Sequence, residues 1–228
     1  MSFIRACITI LLFAIGFAMT VNIAGAQAGT LYTTFPKSIK PAEKYVFYSH
    51  GLIVEGTNET PVHPRFGTYD FPAIKAALSA SDFNLIAYHR PAGTEPNAWA
   101  DKLAGDVHVL IAAGVPAHNI TLMGFSRGGM ITALASSMLS MPGLNTILMA
   151  SCGGWINARP DIKLAGRVLS IYETSDRFGT CQPLIDHSKA VTTFTEIAIS
   201  TGKEHGAFFT PRKEWVEPVL RWINGEKQ

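Results

Sequence analysis

The residues of this chain best placed to do covalent chemistry are one serine and the glycines around it. In Asn119-Ile120-Thr121-Leu122-Met123-Gly124-Phe125-Ser126-Arg127-Gly128-Gly129-Met130 a short apolar run leads into Gly-x-Ser-x-Gly, and a small-residue run continues to Leu139. The pattern predicts a strand, a sharp turn at Ser126, and a helix from Met130 to Leu139. Such a turn lifts the serine hydroxyl clear of the sheet, where it can attack a carbonyl. Gly124 and Gly128 suit it because the turn brings two backbones too close for side chains. The helix that follows aims its first N–H groups and its positive dipole end at the serine, where an oxyanion would collect. Composition alone yields such a pentapeptide in about one chain in ten, so the flanking strand and helix carry the signal. A serine that merely capped the next helix would leave the paired glycines unexplained.

A serine hydroxyl is a poor nucleophile near neutral pH and needs a base to take its proton. The elements that must bring one to it are legible along the chain. Gly29 to Glu43 reads as extended, with a first strand within Thr30 to Thr34. Lys44 to Ser49 is a β-branched and aromatic strand that ends in His50-Gly51-Leu52, and a polar loop runs from Val54 to Gly67. Tyr69 to Ser79 has helical spacing. Asn84 to Tyr88 is a strand closed by His89-Arg90-Pro91. Asn97 to Ala113 is a helix stopped by Gly114. After the serine come a strand at Asn145 to Ala150, a strand at Arg167 to Tyr172, a helix at Pro183 to Lys189, a strand at Thr193 to Ile199, and an amphipathic helix at Glu214 to Asn224. Strands alternating with helices over short connections predict an α/β fold, a three-layer sandwich whose mostly parallel central sheet is covered by helices on both faces.

Ligands of such sheets bind beyond the carboxyl ends of the strands. Three polar residues fall there in the order Ser126, Asp176, His205. Glu173 and Asp186 compete with Asp176, but Glu173 lies at the end of its strand and Asp186 on a helix. Of the other histidines, His63, His108, His118 and His187 do not fall at strand carboxyl ends in the right order, and His50 and His89 precede the serine.

In this arrangement the chain resembles the alpha/beta-hydrolase superfamily, in a small, lidless form, and the resemblance runs from the strand at Lys44 to the closing helix. It implies Ser126 as nucleophile, His205 as general base, and Asp176 as the acid that fixes the imidazole tautomer. It further implies an oxyanion hole made by the backbone N–H of Arg127, directly after the nucleophile, and of Leu52 in the His50-Gly51-Leu52 loop. The Arg127 side chain has two readings, a solvated surface group or a partner for an acidic substrate group. In this fold the strands before Cys152 and before Asp176 are neighbours, which brings Cys152 and Cys181 within disulfide reach. Ser151 to Gly166 is too short for an inserted lid, so the loop Ile53 to Gly67, with His63, Arg65 and Phe66, is expected to roof the site beside Trp155 and Phe178. The implied activity is hydrolysis of a carboxylic ester-type bond in a small or water-soluble acyl substrate. A peptidase or amidase would use the same residues, and a non-catalytic binding protein on the same fold is the reading from another class.

The 228 residues carry 19 Lys and Arg against 17 Asp and Glu with no basic block, which gives no footprint for nucleic acid. There is no phosphate-cradling loop and no metal-ligand spacing, so neither cofactor nor metal is implied. Residues 1 to 26 read as a secretory signal peptide: one early positive charge, an apolar run over Ala6 to Met19 that contains Cys7, and Ala24-Gly25-Ala26 as a cleavage site. The remainder, 27 to 228, has the length of one domain. An exported chain, periplasmic or secreted, is expected, without stable membrane insertion after cleavage, and an even pair of cysteines in it invites a disulfide.

Overall fold

The computed structural model describes residues 29–226. The expected signal peptide and Cys7 lie outside these residues. Among the described residues nine strands are formed: β1 (Leu31–Tyr32), β2 (Tyr45–Ser49), β3 (Val62–His63), β4 (Gly67–Thr68), β5 (Asn84–Ile86), β6 (Ile120–Phe125), β7 (Asn145–Met149), β8 (Ala165–Glu173) and β9 (Ala190–Ile199). The helices are α1 (Phe71–Ser79), α2 (Pro96–Ala112), α3 (Arg127–Leu139), α4 (Gly154–Asn157), α5 (Gln182–Asp186) and α6 (Lys213–Asn224).

Seven strands make one sheet in the order β1-β5-β2-β6-β7-β8-β9, every pairing parallel. β3 and β4 form a separate antiparallel hairpin. β2, β6 and β7 are buried along their whole length, which is why their sequences read as unbroken apolar runs. Alternate residues serve opposite faces. Tyr45, Phe47, Ile120 and Leu122 point into the core under α2, α3, α4 and α5. Val46, Tyr48, Met123 and Phe125 point into the core under α1 and α6, with Phe71, Ile74, Trp215 and Val219. The result is the three-layer sandwich the sequence predicts.

Helix ends follow local chemistry. The Asp70 carboxylate accepts the Ala73 N–H at 2.9 Å and so starts α1, and Glu95 accepts the Ala98 N–H at 2.7 Å at the start of α2. Gly114, at φ 92°, ends α2. Several expectations change: β5 ends at Ile86, short of Tyr88, α5 ends at Asp186, short of Lys189, and β9 starts at Ala190, ahead of Thr193. α3 begins at Arg127, three residues before Met130, because Gly128 and Gly129 lie inside its first turn at a close approach rather than before it. The Val54 to Gly67 loop carries structure of its own, in the Leu52–Val54 3-10 turn and the β3–β4 hairpin. Among the described residues no helix is long and apolar enough to cross a membrane.

The strand order sets the site. From β2 the chain moves out to β5, returns to β6 beside β2, and then proceeds the other way through β7, β8 and β9. The reversal lies between β2 and β6, where crevices open beyond the strand ends of such sheets. Ser49 of β2 is paired with Gly124 of β6, so the loops carrying Leu52 and Ser126 leave the sheet side by side. Glu173 of β8 is paired with Ile199 of β9, and the loops carrying Asp176 and His205 also leave together.

Candidate active site

Ser126 sits between β6 and α3 at φ 55° and ψ −121°, a backbone region that costs an ordinary residue roughly 1–3 kcal/mol. The surroundings impose it. A side-chain carbon on Gly124 would lie 2.3 Å from the Gly128 carbonyl oxygen, and one on Gly128 would lie 2.0 Å from the Ser49 carbonyl oxygen. Both glycines are therefore required by close approach. The Ser126 N–H is held by the Met149 carbonyl at 3.0 Å, and its own carbonyl accepts from Met130 N–H at 3.0 Å.

The three residues expected at the strand ends converge. His205 Nε2 lies 2.7 Å from Ser126 Oγ, and His205 Nδ1 lies 2.5 Å from Asp176 Oδ2. An ionised carboxylate only accepts, so Nδ1 carries the proton and Nε2 is left to accept the serine hydroxyl. The Asp176 side chain is buried and the imidazole nearly so. The ring is enclosed by Phe125 and Phe178, with ring centres 4.6 and 4.8 Å away. Exclusion of water strengthens each hydrogen bond in this row. His205 lies in a 3-10 turn, Glu204–Phe208, rather than in open loop.

Glu173, the nearest competitor for the acid, is fully buried and faces elsewhere. One carboxylate oxygen accepts from the Ser175 N–H at 2.7 Å and the Ser175 hydroxyl at 2.5 Å. The other accepts from the N–H groups of Thr201 (2.8 Å) and Gly202 (3.0 Å). Burial alone would raise this carboxyl, but the Ser175 hydroxyl and the Thr201, Ser175 and Gly202 N–H groups outweigh it and hold it below the usual carboxylate range. Glu173 thus buttons the Asp176 loop to the strand end that leads to His205. Asp186 lies at the end of α5, bonded to Gln182.

Leu52 opens the 3-10 turn after His50-Gly51, and Arg127 is the first residue of α3. N–H groups at these positions have no partner within their own helix. The Arg127 guanidinium, 28% exposed and on the wall of the cleft at Ser126, is tied back into the protein. Its Nε donates to Glu55 at 3.1 Å and its Nη2 to the Thr94 carbonyl at 2.7 Å, so its charge is already matched by a buried carboxylate. Glu55 was not legible in the sequence, where a single acid in a polar loop looks like any other.

Two clefts meet at Ser126. One, about 270 Å³, is lined by Arg127, Met130, Gly153, Trp155, Ile156 and Phe178. The other, about 230 Å³, is lined by Ile53, His63, Phe66, Tyr69, Phe209 and His205. At ~30 Å³ for each water-sized group, either has room for a chain or ring of modest size. Ile53, His63 and Phe66 come from the loop expected to roof the site, and Trp155 and Phe178 from its other side. The Phe66 segment is fixed by the Arg65–Glu204 ion pair at 2.5 Å and by stacking on His63. Cys152, after β7, and Cys181, at the start of α5, form a disulfide with Cα atoms 5.0 Å apart, which closes the segment that carries Asp176.

No family model matches the chain, and no curated protein matches its sequence. Solved structures do match by fold. A SOBER1 variant from Arabidopsis thaliana aligns with a TM-score of 0.56 at 14% identity, over 80% of this chain and 99% of that one. The esterase RhEst1 from Rhodococcus sp. ECU1013 aligns with a TM-score of 0.52 at 14% identity, over 83% of this chain and 94% of its own. At such identities the likeness is one of architecture, and the architecture is the alpha/beta-hydrolase fold.

Proposed function

We propose that this chain is a serine hydrolase that cleaves a carboxylic ester of a small acyl group through an acyl-enzyme on Ser126. One observation carries the reading: the hydroxyl of a backbone-strained serine lies 2.7 Å from an imidazole whose far nitrogen meets a buried carboxylate. As Ser126 Oγ bonds to the ester carbonyl carbon, its proton passes to His205 Nε2, and Asp176 stabilises the imidazolium that forms. The carbonyl oxygen becomes an oxyanion held by the N–H groups of Leu52 and Arg127. Each such donor is worth ~3 kcal/mol in the transition state. His205 then protonates the departing alcohol oxygen. Water, deprotonated by the same nitrogen, attacks the acyl-enzyme, and the carboxylic acid leaves with Ser126 restored.

Because His205 lines one cleft and not the other, the alcohol occupies the Phe66–Phe209 side and the acyl chain the Met130–Trp155 side. The fold likeness to a protein described as an esterase supports ester over amide. The Cys152–Cys181 bridge supports an exported protein, since disulfides persist in oxidising compartments.

The test is labelling with a fluorophosphonate, followed by a chromogenic ester series of rising chain length run beside amide and aminopeptidase substrates. Expected are labelling of the natural protein, none of Ser126→Ala, and turnover of short esters above amides. A folded protein that neither labels nor turns over any substrate is a binding protein. Preferred turnover of amides makes it an amidase.

A further inference from the structure

We propose that Glu55 is a positioning residue for the oxyanion hole, tying together the two chain segments that supply its N–H donors. The inference rests on the hydrolase reading above and adds a residue to it. One donor, Leu52, belongs to the loop after β2; the other, Arg127, begins α3. They lie 75 positions apart in the chain, and an oxyanion hole works only if both N–H groups are fixed before charge develops.

Glu55 spans the gap. It lies three residues beyond Leu52, and its own N–H donates to the Leu52 carbonyl at 3.0 Å, closing the donor turn. Its side chain is 4% exposed, and its Oε1 is shared by Arg127 Nε at 3.1 Å and Arg90 Nε at 3.4 Å. Arg127 is therefore gripped through its guanidinium by the same residue whose backbone shapes the Leu52 turn. Arg90, itself 1% exposed, fixes the other side of the loop. Its Nη2 donates to the His50 carbonyl, its backbone N–H donates to His50 Nε2 at 2.9 Å, and its carbonyl accepts the Gly56 N–H at 2.9 Å. His89 holds the Val54 carbonyl at 2.6 Å. A buried carboxylate between two arginines is costly to desolvate and weak evidence for stability alone. What this one does is fix the relative position of two loops. Neither arginine faces another acid among the described ion pairs.

The test uses three variants on the full chain with a p-nitrophenyl ester as substrate and phenylboronic acid as a tetrahedral mimic. Glu55→Gln leaves two cations facing one neutral amide. Arg127→Met cuts the tie from the more exposed side, spares the Glu55–Arg90 pair, and keeps the N–H of residue 127. Arg127→Lys restores one contact to Glu55. Expected for Arg127→Met are an unchanged circular dichroism spectrum, a kcat lowered roughly tenfold or more, a KM within about twofold, and a boronate inhibition constant raised by the same factor as kcat falls, with partial recovery in Arg127→Lys. Glu55→Gln should show the same split. Should it fail to fold, the arginine pair decides the matter. Folded variants that keep wild-type kcat, or lose only KM, overturn the tie while the hydrolase reading stands. A natural protein inert to both ester and boronate overturns both.

Discussion

Replacing Glu173 by glutamine separates a buried structural carboxylate from the one proposed to act on His205. The carboxylate accepts on both oxygens, from Ser175 on one and from Thr201 and Gly202 on the other. Glutamine keeps one accepting oxygen and turns an amide N–H₂ toward the donors on the other side. At least one backbone N–H then loses its acceptor, at ~1–3 kcal/mol, and the remaining bonds lose their charge assistance, which is about half their strength. The sum is about 2–4 kcal/mol of destabilisation, a fall of roughly 5–15 °C in Tm for a domain of this size. The sign of the pH dependence follows. A carboxyl held below its unfolded value near 4.5 contributes stability that is complete above that value and lost as pH falls through the folded value. Glu173→Gln should therefore show a flatter acid limb in plots of stability against pH. Measured well below its melting point, its kcat should stay within about tenfold of wild type, because Asp176 and not Glu173 meets the imidazole. Asp176→Asn should lose on the order of 10³–10⁴ in kcat with little change in Tm. A Glu173→Gln protein that melts like wild type yet loses 10³ in kcat would refute the assignment.

Further outcomes follow from the same geometry. Gly128→Ala drives a carbon to 2.0 Å of the Ser49 carbonyl oxygen and should cost more than ~4 kcal/mol or prevent folding. Gly105→Ala, in open space on α2, should instead stabilise by ~1 kcal/mol, and urea melts of the two variants check both. Removing the Cys152–Cys181 bridge releases a loop closed across 29 residues, worth about 3–4 kcal/mol in chain entropy, read as the difference between melts with and without reductant. Burial, with the Arg90 cation next in effect, pushes the His50 imidazole down to about 2. The unfolded chain thus gains this proton below about pH 6.5 and the folded one does not, so stability should fall by up to ~1.4 kcal/mol per unit as pH drops below 6.5. His50→Gln, which keeps an acceptor for the Arg90 N–H, should lessen that slope, and an unchanged slope would place the effect elsewhere.

The parts of this molecule legible in its sequence are those governed by short-range rules. Apolar runs such as Ile120 to Phe125 become strands because both faces are covered. The flanking glycines of Ser126 mark a turn because only they fit it. The order serine, aspartate, histidine falls beyond the ends of β6, β8 and β9 because a parallel sheet exposes all its carboxyl ends along one edge. What escaped is long-range. Nothing near Glu55 announces that Arg90 and Arg127, 35 and 72 residues away, will share its carboxylate. The Arg127 side chain read as solvated or substrate-facing for the same reason. The start of α3 moved because glycine, a poor helix former in isolation, is here demanded by backbone contact. The β3–β4 hairpin escaped because its strands are two residues each, too short for any periodicity.

The awkward torsion at Ser126 is maintained from outside, by β2, β6 and α3 closing on one another rather than by the residue itself. That junction lies among the buried central strands, so position 126 can relax into a comfortable helical or extended shape only as those strands part. Turnover should consequently vanish together with the circular dichroism signal on warming, and not ahead of it.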